Sequence, residues 1–342
     1  MSIKGDIIRL GQIPDALLEI SATELHRLFP RPALIHLGGD RAEPLFVSVL
    51  LHGNETTGLA AVQALLKNYA SKPWPRAVSF FFGNVKAARE GLRRLGNQPD
   101  FNRIWPGTEM AECPETLWAQ NVYEEMARRG VFASIDVHNN TGRNPHYSCV
   151  ERLDGPSLNL GALFDRLVIY SPHPKGAQTG AFALACPSVT LECGQAGEAA
   201  GVGHAVEFIE KCLRLPEIPR PPPPPQDIEL FHALAQVTVR DDVSFSYSDP
   251  AADLVLREQL DLLNFTELTA GTVLGHVTPR HPAKPLPLIA RTDDGRDVAA
   301  GFFRVENDQL ALTQAAMPCM LSMDERIIRQ DCLCYLMERI KR

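Results

Sequence analysis

The sequence has no long apolar run, no Cys-x-x-Cys pair, no internal repeat and no excess of basic residues. Each absence removes a class of protein. A membrane span needs roughly 18 uninterrupted apolar residues, and the opening MSIKGDIIRLGQIPDALLEI lacks the basic segment and apolar stretch of a secretory signal. The expectation is a cytoplasmic protein with no membrane partner. Thirty-four Lys and Arg against 41 Asp and Glu give a formal net charge of -7, the opposite of the basic surface that holds nucleic acid, so no nucleic-acid partner is expected. The eight cysteines, without paired spacing, read as reduced and mostly buried thiols rather than a disulfide framework. Cys332 and Cys334, in DCLCY, have no second pair with which to clip a metal.

What is present is a 342-residue chain, 45% hydrophobic and 22% charged. Single cores stop growing near about 250–300 residues, so two domains are expected. The clearest break is LPEIPRPPPPPQD, residues 215–227, where consecutive prolines cannot donate backbone hydrogen bonds and favour an extended, semi-rigid spacer. The expected layout is a first domain over 1–214, a proline-rich linker over 215–226 and a smaller, mostly β domain over 227–342.

In the first part apolar runs alternate with helical patterns. PLFVSVLL, AVSFFFGN, VFASIDV, RLVIY and SVTLEC read as strands. Helices are expected over 56–69, 114–129 and about 202–213, and Ser21 with Glu24 matches a capping box before a short helix. This order implies an α/β sheet with helices on both faces, and ligands in such folds bind beyond the carboxyl ends of strands. After the prolines, the stretch from Gly271 to Thr313 is a series of short apolar runs broken by Gly, Pro and Asp-Gly, as in a small β domain. The final DERIIRQDCLCYLMERIKR carries both helical and strand-like spacing.

Chemistry-bearing residues gather at the strand ends. In LFVSVLLHGNETTG, His52 and Glu55 follow a buried run, and both are competent zinc ligands. His138, in SIDVHNNTG, follows another strand, with Asp136 two residues earlier in place to hold the imidazole. Glu192 closes SVTLE, where a buried carboxylate suits a general base for metal-activated water, although a structural ion pair would also account for it. In DFNRIWPG, Asn102 and Arg103 are suited to gripping a substrate carboxylate, and Arg93 and Arg94 upstream offer a cation for a developing oxyanion.

His-Gly-Asn-Glu after a strand, Asp-x-Asn-Arg about fifty residues on, then Asp-x-His-Asn and a strand ending in Glu together resemble the succinylglutamate desuccinylase/aspartoacylase family of the zinc carboxypeptidase superfamily. The resemblance covers most of residues 40–200. It implies a zinc-carboxypeptidase-like mixed sheet flanked by helices with a smaller C-terminal β domain, and one zinc ion held by His52, Glu55 and His138. It further implies Glu192 as the catalytic carboxylate, Asn102 and Arg103 at the substrate carboxylate, and Arg94, or Arg93 after a one-residue shift, at the scissile carbonyl. Asn54 and Asn139 would line the pocket beside the ligands. DVHNNTG lies closer to the aspartoacylase type.

Two features depart from that pattern. KGAQTGAFALACPSVTLE holds no Arg, leaving Lys175 as the nearby cation, and no Tyr follows FFRVENDQ until Tyr335. The expected activity is that of a zinc-dependent amidohydrolase, a deacylase cleaving the amide bond of a small carboxylate-bearing N-acyl amino acid. The rivals are a zinc carboxypeptidase acting on short peptides and a catalytically inactive binding or regulatory protein on the same fold. The expected partner is thus a small-molecule substrate, and the sequence leaves a homo-oligomer open.

Overall fold

The computed structural model describes residues 7–172, 174–278 and 285–341. The chain divides into one unit comprising residues 1–139 and 146–229 and a second comprising 140–145 and 230–342. Residues 140–145, expected in the first domain, thus cluster with the second. The proline-rich segment stays with the first unit, where Asn159 Nδ2 donates to the carbonyls of Pro219 at 2.9 Å and Pro221 at 2.6 Å.

In the first unit the apolar runs form β1 (Ile8–Leu10), β2 (Ala33–Leu37), β3 (Leu45–Val49), β4 (Val78–Phe82), β5 (Ala133–Asn140), β6 (Tyr147–Val150), β7 (Leu167–Tyr170) and β8 (Ser188–Gln195). Their order in the sheet is β1-β2-β4-β3-β5-β8-β6-β7. It is a mixed sheet: β3 runs parallel to both β4 and β5, whereas β2 is antiparallel to β4 and β6 to β8. Every residue of β3, β4 and β5 is buried, which is why these strands read as continuous apolar runs rather than alternating ones.

The helices are α1 (Leu25–Leu28), α2 (Thr57–Asn68), α3 (Val85–Arg89), α4 (Pro114–Arg128), α5 (Gly155–Phe164), α6 (Gln178–Phe182) and α7 (Ala199–Arg214). In α2, Leu59, Val62, Leu65 and Leu66 are buried at helical spacing, which gives the helix one apolar face. Gly58 of α2 packs so closely that a Cβ there would meet Val49 at 2.7 Å. A second cluster joins Phe81, Phe101, Trp105 and Trp118 under α4, each ring contributing roughly 1.5–3 kcal/mol by leaving water.

Several expectations are corrected. Ser21 Oγ donates to Glu24 Oε2 at 3.1 Å instead of accepting from a backbone amide, so the pair forms no capping box and α1 starts only at Leu25. β5 continues through His138 to Asn140, and β8 continues past Glu192 to Gln195, so both residues sit within strands rather than beyond them. β1, β2 and β6 are additional strands that the sequence pattern did not single out.

The second unit holds β9 (Glu229–Val239), β10 (Phe245–Ser246), β11 (Leu254–Leu256), β12 (Val273–Val277), β13 (Leu288–Thr292), β14 (Phe303–Glu306), β15 (Gln309–Leu312), β16 (Met317–Cys319) and β17 (Cys334–Arg339). One group pairs antiparallel as β13-β9-β17-β16, and the others form a five-stranded sheet ordered β10-β11-β12-β15-β14. Their inward residues, among them Val237, Leu254, Leu310 and Leu336, make one core. The expected β character holds, although residues 279–284 of that stretch, like residues 1–6, lie outside the described residues. The ambiguous C-terminal stretch contains both elements: a helix α9 (Glu325–Gln330), after the short α8 (Ala299–Phe302), and then β17.

Among the described residues no helix is long and apolar enough to cross a membrane, and none of the eight cysteines is in a disulfide.

Candidate functional site

β3 stops at Val49, and the next residue, Leu50, is buried with φ +57. That left-handed conformation is costly for a leucine; here it bends the chain sharply, and His52 follows two residues later. Gly53 then passes so close to α3 that a Cβ would lie 2.2 Å from Ala88 N. Only glycine fits between the two candidate ligands, and its N–H donates to Arg93 O at 3.1 Å. Glu55 follows, ahead of α2. His138 arrives on the neighbouring strand, because β5 pairs with β3 in parallel with Val49 opposite Val137.

The result is one buried cluster. His52 Nδ1 lies 2.8 Å from Glu55 Oε1, and His138 Nδ1 lies 2.7 Å from Glu55 Oε2. The two rings stand 4.9 Å apart, centroid to centroid. The far nitrogens are held too: His52 Nε2 is 3.0 Å from Asp100 Oδ1, and His138 Nε2 is 2.7 Å from Asp136 Oδ2. Asp136 is itself steadied by Ser48 Oγ, which donates at 2.6 Å. A carboxylate on Nε2 favours the proton there and leaves the Nδ1 lone pair facing inward, the arrangement that supports metal-ligating histidines. One ligand atom from each of His52, Glu55 and His138 falls within 4.8 Å of the others, a set able to hold a metal ion.

The electrostatics fit the same reading. Asp136, Glu55 and Asp100 share the cluster with the guanidinium of Arg93, which binds Asp100 Oδ2 through Nη2 at 2.9 Å and through Nε at 3.2 Å. Arg103 also acts on Asp100 and Glu192 adds a further carboxyl; carboxyls outnumber these guanidiniums, a balance that a dication would complete. Without one, the imidazoles take the part: burial opposes charge on His138, but Asp136 and Glu55 outweigh it and hold the ring well above its usual pKa. At His52, burial and Arg93 oppose charge, and Glu55 and Asp100 overcome them. Burial also pushes against Glu55 and Asp100, yet the two histidines hold Glu55 low, and Arg93 with His52 does the same for Asp100.

Glu192 behaves differently. It is buried beside the cluster, and burial, with the charge of Glu55 adding to it and that of His138 opposing it, pushes its carboxyl up to about 8. A carboxyl that changes protonation in this range is suited to accepting and returning a proton.

The remaining sequence-derived residues divide. Arg93, not Arg94, faces the cluster, with Nη1 3.8 Å from Glu55 Oε1; Arg94 Nη1 instead donates to Gln98 O at 3.1 Å. Asn139 is fully committed: Oδ1 accepts from Thr57 N, and Nδ2 donates to Thr57 Oγ1 and Gly194 O. Its side chain therefore ties α2, β5 and β8 together. Asn54 Oδ1 is buried with no hydrogen-bond partner, an acceptor that a bound molecule would satisfy. Asn102 Oδ1 accepts from Gln178 N at 2.9 Å, and Nδ2 lies 3.3 Å from His138 Nε2. Arg103 Nη1 donates to Asn102 O at 2.8 Å and acts electrostatically on Glu151. Glu151 lies against Gly180, whose missing side chain makes room for it; burial lifts its carboxyl to about 7 against the pull of Arg103. Lys175 is paired with Glu109 in an exposed contact.

Sequence reasoning missed three of these residues. Asp100 stood in DFNR as part of a polar turn; its signal was the parallel with Asp136, a carboxylate awaiting an imidazole. Glu151 and Gln178 had no signal of their own.

With this geometry in place, the comparisons with known proteins bear on it. Residues 43–204 match the family model described as the succinylglutamate desuccinylase/aspartoacylase catalytic domain. Over that span the chain is similar to this family's catalytic domain. The span includes His52, Glu55, Asp100, His138 and Glu192. The chain is 27% identical over 274 residues to a succinylglutamate desuccinylase of Pseudomonas syringae pv. tomato, covering 69% of this chain and 73% of that protein. Its fold is similar to the crystal structure of the succinylglutamate desuccinylase from Chromobacterium violaceum, with TM-score 0.57 and 20% identity over 90% of this chain and 89% of the other. A succinylglutamate desuccinylase/aspartoacylase from Rhodobacter sphaeroides gives TM-score 0.56 at 13% identity, over 89% and 88%. At such identities the structures establish a common fold.

Proposed function

We propose that this protein is a zinc-dependent deacylase that hydrolyses the amide bond of a small, carboxylate-bearing N-acyl amino acid. The observation that carries the reading is the inward convergence of His52 Nδ1, His138 Nδ1 and Glu55, each imidazole backed by a carboxylate, with Glu192 alongside. The donor set of two nitrogens and a carboxylate is one that zinc accepts while keeping a position open for chemistry. When bound there, the ion would supply Lewis acidity to a substrate carbonyl and to water.

The chain's own groups do the rest. Glu192 takes the proton from the attacking water and returns it to the departing amine, its buried carboxyl tuned toward neutral pH by the same surroundings. Arg93, locked by Asp100, presents its guanidinium beside the ligands, where negative charge develops on the carbonyl oxygen. Arg103 binds the substrate carboxylate, while Asn102 fixes the backbone at Gln178 and so the course of the loop. Asn54 Oδ1 is left to accept from the substrate amide.

A panel of N-acyl amino acids assayed beside short peptides tests the reading. Turnover of acidic N-acyl amino acids in the zinc-loaded protein is expected; turnover confined to peptides would make it a carboxypeptidase, and no turnover with bound zinc would make it a binding protein.

A further inference from the structure

The loop that carries Asn102 and Arg103 lies in the first unit against residues 176–178, the turn that opens α6. Trp105 N donates to Gly176 O at 3.0 Å, and Gln178 N donates to Asn102 Oδ1 at 2.9 Å. Between these bonds Gly176 rests on the backbone of Arg103: a Cβ there would lie 2.4 Å from Arg103 O and 2.7 Å from Arg103 C. The same carbonyl accepts from Thr108 Oγ1 at 2.6 Å, so the Arg103 backbone is held from two sides. Its guanidinium, bonded through Nη1 to Asn102 O at 2.8 Å, is tied to the backbone of this loop.

The turn is the firmer partner. Gln178 is fully buried, and its Nε2 donates to Ser134 Oγ of β5 at 2.6 Å. Thr179 Oγ1 lies 2.6 Å from Thr190 Oγ1 of β8, which roots the segment in two strands of the sheet. Gly176 itself has φ +77, a left-handed conformation that glycine adopts readily and a residue with a Cβ does not. A Cβ makes ordinary contact only from 3.4 Å, so a side chain at this position would push the Arg103 backbone away by about 1 Å, a misplacement that can cost about 10²-fold.

We propose that Gly176 is a positioning residue for substrate affinity: by admitting the Arg103 backbone onto this rooted turn, it sets how far the guanidinium reaches toward the substrate carboxylate. The proposal rests on the reading that Arg103 meets that carboxylate, and it concerns binding rather than the chemistry at the metal end.

Steady-state kinetics of the zinc-loaded, full-length chain test it, on the N-acyl amino acid of the panel above that the wild type turns over fastest. Gly176→Ala is expected to raise KM by about tenfold or more with kcat and bound zinc unchanged, the pattern of lost substrate binding. Thr108→Val removes the other hold on Arg103 O and is expected to raise KM by a smaller factor. Gly39→Ala is the control. A Cβ there would meet Arg76 C at 2.2 Å, but Gly39 follows β2 at the end of the sheet where β3 begins, away from the end that leads to His52. That variant should lose stability to urea and keep its KM.

An unchanged KM in Gly176→Ala overturns the proposal, as does a loss confined to kcat. An equal rise in KM from Gly39→Ala also overturns it, because the effect would then be one of general stability. If Gly176→Ala does not fold, Thr108→Val decides alone, and an unchanged KM in it is the contrary result. No wild-type turnover of any member of the panel refutes the deacylase reading and the proposal with it, whereas turnover with a KM indifferent to both variants refutes the proposal only.

Discussion

The two ends of the candidate site are built differently. At the metal end, His52, Glu55 and His138 are buried, and each imidazole is fixed from both sides, by Glu55 on one nitrogen and by Asp100 or Asp136 on the other. At the Arg103 end, a half-buried guanidinium donates to the backbone carbonyl of Asn102 and acts electrostatically on Glu151, a carboxyl that burial has lifted to about 7. The first end holds its geometry before any substrate arrives, as catalysis by positioning requires. In the proposed reading the second end meets the substrate carboxylate, and there the substrate can change without disturbing the chemistry.

The largest expected effect is at the metal end. Glu192→Gln should lower kcat by about 10²–10⁴-fold with bound metal unchanged, measured by steady-state kinetics and elemental analysis of the same sample; a normal kcat would remove Glu192 from proton transfer. Arg93→Ala should follow, lowering kcat/KM by about 10²–10³-fold, while Arg94→Ala stays close to wild type because Arg94 is tied to Gln98 O. Equal losses from the two would erase the distinction drawn between them. Asp100→Asn and Asp136→Asn should each cost about 10–100-fold in metal affinity, read by chelator competition. If Asp136→Asn alone matters, only the His138 half of the support is real.

The smallest effect belongs to the other end and appears in stability. A carboxyl whose pKa rises from 4.5 to about 7 on folding carries no penalty below pH 4.5. Through that interval the folded state binds more protons than the unfolded one, so stability falls as pH rises, and the full penalty remains above pH 7. At about 1.4 kcal/mol per pKa unit the limit is roughly 3 kcal/mol. Glu151→Gln should therefore raise stability at pH 8 and change little at pH 4, as measured by urea denaturation at both values. The same change at both would show that the carboxyl is not strained by burial.

The same contrast explains what the sequence made legible. His52, Glu55, His138 and Glu192 sit at ends of apolar runs, where burial makes a polar side chain conspicuous, and Asp136 lies only two residues from the ring it holds. Asp100 is forty-eight positions from His52, and only the fold brings them together. The choice between Arg93 and Arg94 rested on a one-residue spacing that sequence does not resolve; it is fixed by the loop in which Arg93 O accepts from Gly53 N. Asn139 was visible as a polar residue beside a ligand, but its three bonds to Thr57 and Gly194, which make it a strut, involve chain segments far away. In the fold, strands buried at every residue, such as β3 and β4, were readable as continuous apolar runs, whereas β1 and β6, only partly buried, were not. The Ser21–Glu24 pair carried the right residue types, but its side chains bond each other rather than the helix.

Whether His52, Glu55 and His138 form a zinc site is decided by the metal content of the purified chain after equilibration with zinc and removal of the excess. One zinc per chain, lost in both His52→Ala and His138→Ala with the fold intact by circular dichroism, is the predicted result. A chain that retains no zinc, or variants that retain it as fully as the wild type, would contradict it.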